Sequence, residues 1–437
     1  MFKNKASLEI DHWYLVFVIC CATILSYMDR GIIYVLVPDL RHSLSLSEVE
    51  VSIIQGFSFS VSFALSGLLI GTLVDRLDRR MIIVAGIACW SLMTVFCGLA
   101  QTFWQLFAAR AGVGIGEACL LPAAYSMVSD KFSAARRGVP MAIVTTATTI
   151  GGTSAPLIAG GILKLLKQGE MSSLPLLGEM ETWRVAFFVA ASPSLLVILL
   201  ILTVREPRLS KHHETSDAGS SYFRFLAKRW QIFLPLYFGF SCIFMLANAS
   251  AVWAPTAMIR VYGFKASDAG MAVGAAMAPG GVLGTLLGGF LGDWLARRNS
   301  GSGRLSAWFG GTVPALLAAI LFVVPGSPWL FLLGLFLAQL VSGALTSLSY
   351  PALYDVVPPQ FRGRAIAVYM LLGNIFGLGF GTTAVALLTE RLFHDDNMVN
   401  VSMAWVTAVS AVASPLLIMI QLRGYGAMRE RVAQSSQ

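Results

Sequence analysis

The sequence predicts an all-α membrane protein of twelve transmembrane helices, built as two related six-helix halves. Three observations predict it. The 437 residues are 56% hydrophobic and only 12% charged, which is too little charge to cover the surface of a soluble domain. Apolar runs of about twenty residues recur along the whole length, each able to cross a hydrocarbon core of roughly 30 Å as a helix. Short motifs of the first half also return in the second half at matching runs.

Taken in order, the spans are expected near 13–37, 50–74, 81–100, 103–128, 138–163, 183–204, 231–256, 268–291, 305–325, 328–352, 364–389 and 400–422. Sorted on this map, 22 of the 31 Lys and Arg fall in the termini and alternate loops of one side. Six (Arg41, Lys164, Lys167, Arg260, Lys265, Arg391) fall on the other side, and three (Arg30, Arg110, Arg184) lie in or at the edge of spans. By the positive-inside rule the basic side is cytoplasmic, so both termini are expected inside a multi-pass protein of the cell (inner) membrane. The net charge of +8 is then a matter of topology, and no nucleic-acid partner is expected. All six cysteines fall within spans at spacings that fit neither a disulfide framework nor a zinc site. They are expected to be packing residues, with no metal and no cofactor. The short polar stretch before the first span, with no small-residue cleavage site after it, is not expected to be a cleaved signal.

The two halves echo each other. GTLVDRLDRR at 71–80 and GFLGDWLARR at 289–298 share Gly71/Gly289, Leu73/Leu291, Asp75/Asp293, Leu77/Leu295, Arg79/Arg297 and Arg80/Arg298 at an offset of 218. PAAY at 122–125 is answered by PALY at 351–354, each followed by an Asp (Asp130, Asp355) and then Arg-Gly (Arg137-Gly138, Arg362-Gly363). Duplications of this kind carry a substrate near the membrane midplane. The expected organisation is an N-terminal half at 1–204, a cytoplasmic linker at 205–230 and a C-terminal half at 231–437. The linker is polar, with a short amphipathic helix expected from Tyr222 to Trp230. His212, His213 and Glu214 within it lack the further ligands that a metal site needs.

These motifs carry a family resemblance. GTLVDRLDRR resembles the loop 2–3 signature of the major facilitator superfamily, although Asp78 stands where that signature usually has Gly. LFAARAGVGIGEA at 106–118 resembles its span-four motif, and GGTSAPLIAGG at 151–161 its span-five motif, with Ala155 and Ala159 in place of expected glycines. YMDR in span one, RAGVGIGEA in span four and SDKFSAARRG after it resemble the Spinster-type lipid transporters, and short termini and compact loops suggest a bacterial member. Sugar-acid and organic-anion symporters share the DR and GEA elements. The resemblance implies the major facilitator fold and spans one and four lining a central cavity. It also implies a cytoplasmic gate in the two repeated loops, formed by Asp75, Arg79, Asp293 and Arg297.

Asp29 and Arg30 are the only charges in the first apolar run, and Arg110 and Glu117 are the notable ones in span four. Arg110 and Glu117 are seven residues apart, so they project from nearly one helix face, about 10 Å apart along the axis. Spans one and four run in opposite directions, which places Asp29, Arg30 and Arg110 at one depth, with Glu117 nearer the midplane. Intramembrane charges cost roughly 2.5–3.5 kcal/mol each and mark functional sites. A pair would suffice to tie two helices, and a buried pair is poor glue because desolvation offsets its attraction. Four charges therefore fit a working site. Asp29 and Glu117 are expected to exchange protons, while Arg30 and Arg110 hold an anionic group through their planar forks. No histidine lies in an apolar run, so no histidine relay is expected.

The repeat offsets place neutral residues near Asn248, Gln339 and Thr346 where the first half has Asp29, Arg110 and Glu117. The second half therefore offers an apolar and aromatic wall with polar spots, including Phe244, Asn248, Trp253, Tyr350, Tyr369 and Asn374. Asn248 and Tyr369 join Arg30 and Arg110 as expected substrate contacts. This asymmetry suits an amphiphile with an anionic head, and suits a sugar acid less well because each hydroxyl would need a partner. The glycines at 112, 114 and 116 lie in an apolar span with no strand before them, and read as close helix packing. No GxxxxGK[ST] is present, so gradients must drive transport. The chain is read as a monomeric secondary transporter of a lysophospholipid or sphingosine-1-phosphate-like lipid, proton-coupled and working by alternating access. The alternative is a proton-coupled symporter of sugar acids or other small organic anions. Neither a nucleophile–base pair nor a metal set for an enzyme is visible.

Overall fold

A computed structural model describes residues 5–74, 77–133, 136, 138–167, 180–206, 218–298, 303–358 and 361–434. Among them, twelve helical stretches are long and apolar enough to cross a membrane, and no strand occurs. Spans one to six are Asp11–Val35, Glu48–Gly71, Arg79–Leu99, Phe103–Lys131, Gly138–Leu166 and Thr182–Thr203. Spans seven to twelve are Trp230–Arg260, Ala266–Gly292, Arg304–Phe322, Pro328–Val356, Arg362–Phe393 and Asp396–Leu422. Each matches an expected span to within about one helical turn.

Local chemistry explains where several of them start. Ser47 and Glu50 form a reciprocal capping box at the head of span two. Asp78 caps span three by accepting from the Met81 N–H at 3.1 Å, which accounts for an Asp where the superfamily signature has Gly. Ser327 caps span ten, and Pro328 at its first position loses no helical hydrogen bond.

Span four is bent rather than continuous. One helix ends at Glu117 and a second begins at Leu120. The cause is Pro122, which has no N–H for the Ala118 carbonyl and whose ring crowds that turn. The break leaves Glu117 as the last residue of the first of these two helices.

The chain divides into two compact units, Met1–Lys211 with Phe264–Ala275, and His212–Gly263 with Ala276–Gln437. The division falls inside span eight as well as in the linker. The start of span eight packs on span five, where a Cβ at Gly160 would meet the Ser267 carbonyl and one at Gly274 would overlap Leu157. Small residues on both helices permit that approach. Within the first unit, span one lies closely on span five, and a Cβ at Gly31 would overlap the Ala155 side chain. Ala155 replaces a motif glycine, and Gly31 supplies the missing space from the other helix.

Candidate functional site

Spans one, two, three and four of the first unit bring the intramembrane charges together. Span one presents Ser26, Asp29 and Arg30 within slightly more than one turn, while span four presents Arg110 and Glu117. Arg30 Nε donates to Glu117 Oε2 at 2.6 Å, and Ser26 Oγ donates to the same oxygen at 2.6 Å. Ser26 lies four residues before Arg30 and so shares its helix face. Glu117 is 2% exposed, Asp29 0% and Arg110 1%.

The remaining valences at this site are open. Both oxygens of Asp29, Oε1 of Glu117 and Nε of Arg110 are buried without a hydrogen-bond partner. Asp29 lies within electrostatic reach of Glu117 and Arg110, and it faces the Trp90 indole of span three. That indole N–H closes no hydrogen bond either. Leaving a buried polar group unpaired costs about 1–3 kcal/mol, and more for a charged one, so five such atoms at one place form a site built for something other than rigidity. Tyr34 lies near Arg110, Arg30 and Glu117 as well.

Aromatic rings hold the two guanidinium groups. Arg30 lies 4.4 Å over the Phe59 ring, 4.6 Å from Tyr27 and 5.2 Å from Phe63, and Arg110 lies 5.6 Å from Phe59. One ring of span two thus faces both arginines, and its π face offsets part of the repulsion between their like charges. Phe59 and Trp90 carry no polar signature in sequence, so sequence reasoning missed them. Ser26 had a readable signal in its i, i+4 spacing to Arg30.

The position equivalent to Arg110 in the second unit is neutral and tied down. Gln339 Nε2 donates to the Ala247 carbonyl at 3.2 Å and meets Ser250 Oγ at 3.5 Å, both on span seven. Asn248 donates to the Phe244 carbonyl of its own helix at 2.8 Å, and Asn374 does the same to Met370. Trp253 Nε1 donates to the Thr382 carbonyl at 2.9 Å. Tyr369 is fully buried, with its hydroxyl unpaired and its ring edge-to-face with Phe240, Phe244 and Tyr350 at 5.5–5.6 Å.

At the opposite end of spans three and four, Arg79 is 1% exposed and binds two acids. Its Nη1 lies 2.6 Å from Asp130 Oδ2 and its Nε 2.7 Å from Glu206 Oε1. The second unit repeats this arrangement with Arg304, whose Nη1 donates to Asp355 Oδ1 at 2.8 Å and Oδ2 at 2.6 Å. Both arginines precede their Asp by 51 residues. The structural counterpart of Arg79 is therefore Arg304, whereas the loop repeat pairs Arg79 with Arg297. Arg304 opens span nine as Arg79 opens span three, and the loop motif hides this because the two loops differ in length. Asp75 and the linker histidines lie outside the described residues. Asp293 and Arg297 are described only as positions near the end of the helix that contains span eight.

On the far side, Arg184 has a structural role. Its Nη1 donates to the carbonyls of Gly98 at 3.1 Å and Ala100 at 2.7 Å, closing the end of span three. Glu181 holds it at 3.0 Å and also accepts from Ser43 and the Trp183 indole. These hydrogen bonds, with that of Ser43 the largest, draw the Glu181 carboxyl below the ordinary range.

The fold agrees with what the chain is similar to. It is 28% identical over 409 residues to an MFS-type efflux pump of Mycolicibacterium smegmatis, covering 90% of each chain. It is 25% identical over 404 residues to Protein spinster of Drosophila melanogaster, covering 89% of this chain and 64% of that one. A hexuronate transporter of Escherichia coli matches at 26% over 422 residues, covering 87% of this chain and 89% of that one. A bacterial homolog to the human lysosomal transporter Spinster, crystallised in an inward-facing, unoccupied conformation, has a TM-score of 0.78 at 24% identity. That match covers 97% of this chain and 98% of the other, and shows a shared fold. Residues 19–382 match the family model of the Major Facilitator Superfamily. The chain belongs to that superfamily, whose members are transporters and not enzymes.

Proposed function

We propose that this protein is a secondary active transporter of an anionic amphiphile, a lysophospholipid or a sphingosine-1-phosphate-like lipid, coupled to protons and working by alternating access. The observation that carries this reading is the set of buried, unpaired polar atoms on Asp29, Glu117 and Arg110 beside the Arg30–Glu117 pair. Arg30 and Arg110 bind the anionic head. When the head arrives, Arg30 leaves Glu117, and the freed carboxylate, with Asp29, takes up a proton. Neighbouring carboxylates and guanidinium groups shift one another's proton affinity, which is what such an exchange requires. Asn248 and Tyr369 are the proposed substrate contacts of the second unit. Arg79 and its acids, together with Asp75, Asp293 and Arg297, serve the gate. The protein works as a monomer in the cell membrane with both termini cytoplasmic.

The test is substrate flux in proteoliposomes under an imposed pH gradient, with lysophospholipids, sphingosine-1-phosphate and a hexuronate in parallel. Lipid flux that rises with the gradient is expected. Asp29→Asn and Glu117→Gln should abolish the gradient response, while Arg110→Gln should remove head-group binding and Arg110→Lys should restore only part of it. Hexuronate flux without lipid flux would establish the sugar-acid reading instead, which the hexuronate relative also favours. A full gradient response in both acid variants would end the proton-coupling assignment.

A further inference from the structure

The helix Ala218–Lys228 before span seven is docked on the second unit by one face only. Tyr222 is 0% exposed and its ring meets Phe361 at 5.6 Å, while Phe225 meets Phe361 at 5.3 Å and Phe233 at 5.5 Å. Tyr237 donates to the Ala365 carbonyl at 3.1 Å, so Tyr222 is the donor in the 2.8 Å contact between the two hydroxyls. The helix is thus fastened to spans seven and eleven.

Its other face divides into two chemistries. At 100° per residue, Phe223 and Ala227 lie along one edge of the exposed arc, and Arg224 and Lys228 along the other. Phe223 is 63% exposed, and Trp230, the first residue of span seven, is 57% exposed. The stretch 218–230 contains Arg224, Lys228 and Arg229 and no acid, and 361–369, which it touches, contains Arg362 and Arg364 and no acid. Arg229 is turned inward, 4.6 Å over the Phe225 ring, which leaves Arg224 and Lys228 as the outward cations of the helix. An apolar edge beside a basic edge, next to an exposed tryptophan at the end of a span, is the pattern of a helix lying in the membrane interface.

We propose that Ala218–Lys228 is an interfacial helix that binds the head groups of anionic bilayer phospholipids. Phe223 and Trp230 enter the acyl boundary, and Arg224 and Lys228 contact the phosphates. The surface fits an anionic leaflet by charge, and an acidic protein partner would have no use for two aromatic side chains at the membrane end of a span. Because the same helix packs Tyr222 and Phe225 on Phe361, lipid bound there also steadies the residue from which span eleven starts.

The test uses the full-length protein in nanodiscs of phosphatidylcholine alone or of phosphatidylcholine with phosphatidylglycerol, read by hydrogen exchange of amides 218–228. Phosphatidylglycerol should slow their exchange in the parent protein. The difference should vanish in Arg224→Gln/Lys228→Gln, whose affinity for phosphatidylglycerol should fall by roughly twenty-five-fold at about fivefold per charge removed. Phe223→Ser/Trp230→Ser, which alters exposed positions only, should lose most of the protection too. Arg110→Gln should retain it, which separates this surface from the transport site. Equal exchange in the two lipid mixtures, or full protection in the double charge variant, overturns the proposal.

Discussion

Arg304 shares its Nη1 between both oxygens of Asp355, at 2.8 and 2.6 Å, and the two residues stand 51 positions apart, as Arg79 and Asp130 do. The two arrangements are not equal in charge. Arg79 serves two acids, Asp130 and Glu206. Asp355 instead has two bases, Arg304 at 2.6 Å and Arg429 at 3.8 Å, with the Tyr425 hydroxyl at 3.3 Å.

That difference predicts unequal effects of removing the arginine. Arg79→Gln leaves two partly exposed carboxylates side by side and should cost about 2–3 kcal/mol. Arg304→Gln leaves Asp355 with Arg429 and Tyr425 and should cost about 1–2 kcal/mol. Unfolding of both variants in the same detergent measures this, and equal losses would refute the assignment of distinct roles.

The Arg30–Glu117 pair predicts non-additivity. Each single change, Arg30→Gln or Glu117→Gln, strands the partner in a site where Glu117 is 2% exposed. The double variant strands neither charge, so it should be more stable than the sum of the singles by about 0.5–3 kcal/mol. A double-mutant cycle on thermal unfolding measures the coupling, and additive losses would contradict the pairing.

At Gly31 the approach of span one to span five predicts a rescue. Gly31→Ala drives its Cβ into the Ala155 side chain and should cost about 1–3 kcal/mol, as overpacking does. Adding Ala155→Gly should restore most of the loss by returning the space to the other helix. Retained stability in Gly31→Ala alone would show that the helices separate freely there.

Glu181 predicts a pH dependence with a definite sign. Its carboxyl is held below its ordinary value of 4.5 by Ser43, Arg184 and Trp183. A depressed acid adds stability that is fully present above the unfolded value and is lost as pH falls through the folded one. The parent should therefore lose stability below about pH 4.5 more steeply than Glu181→Gln. Parallel melting curves of the two proteins across that range would refute this contribution, which is small because the side chain is half exposed.

Much of the fold was legible in the residues. Span positions follow from length and hydropathy, because a bilayer of fixed thickness leaves a helix few other lengths. The four intramembrane charges were legible for the same reason, since each costs energy unless it has a use. The capping role of Asp78 and the bend at Pro122 depend on local chemistry, which neighbours in sequence already contain. The matching of Arg79 with Arg304 was not legible, because loops of different length shift the offset between repeats while the helix ends keep their places.

By itself, then, the sequence determined a twelve-helix membrane chain with related halves and an N-terminal half that carries Asp29, Arg30, Arg110 and Glu117 within the membrane. Tertiary structure alone decided the partners. It chose Glu117 for Arg30, left Asp29 and Arg110 Nε open, placed Phe59 under two guanidinium groups and fastened Gln339 to span seven. The physical reason is that helix periodicity fixes which face and depth a side chain occupies. Which of several reachable partners it meets depends on backbone approaches such as those at Gly31 and Gly160, and contacts across helices set those approaches.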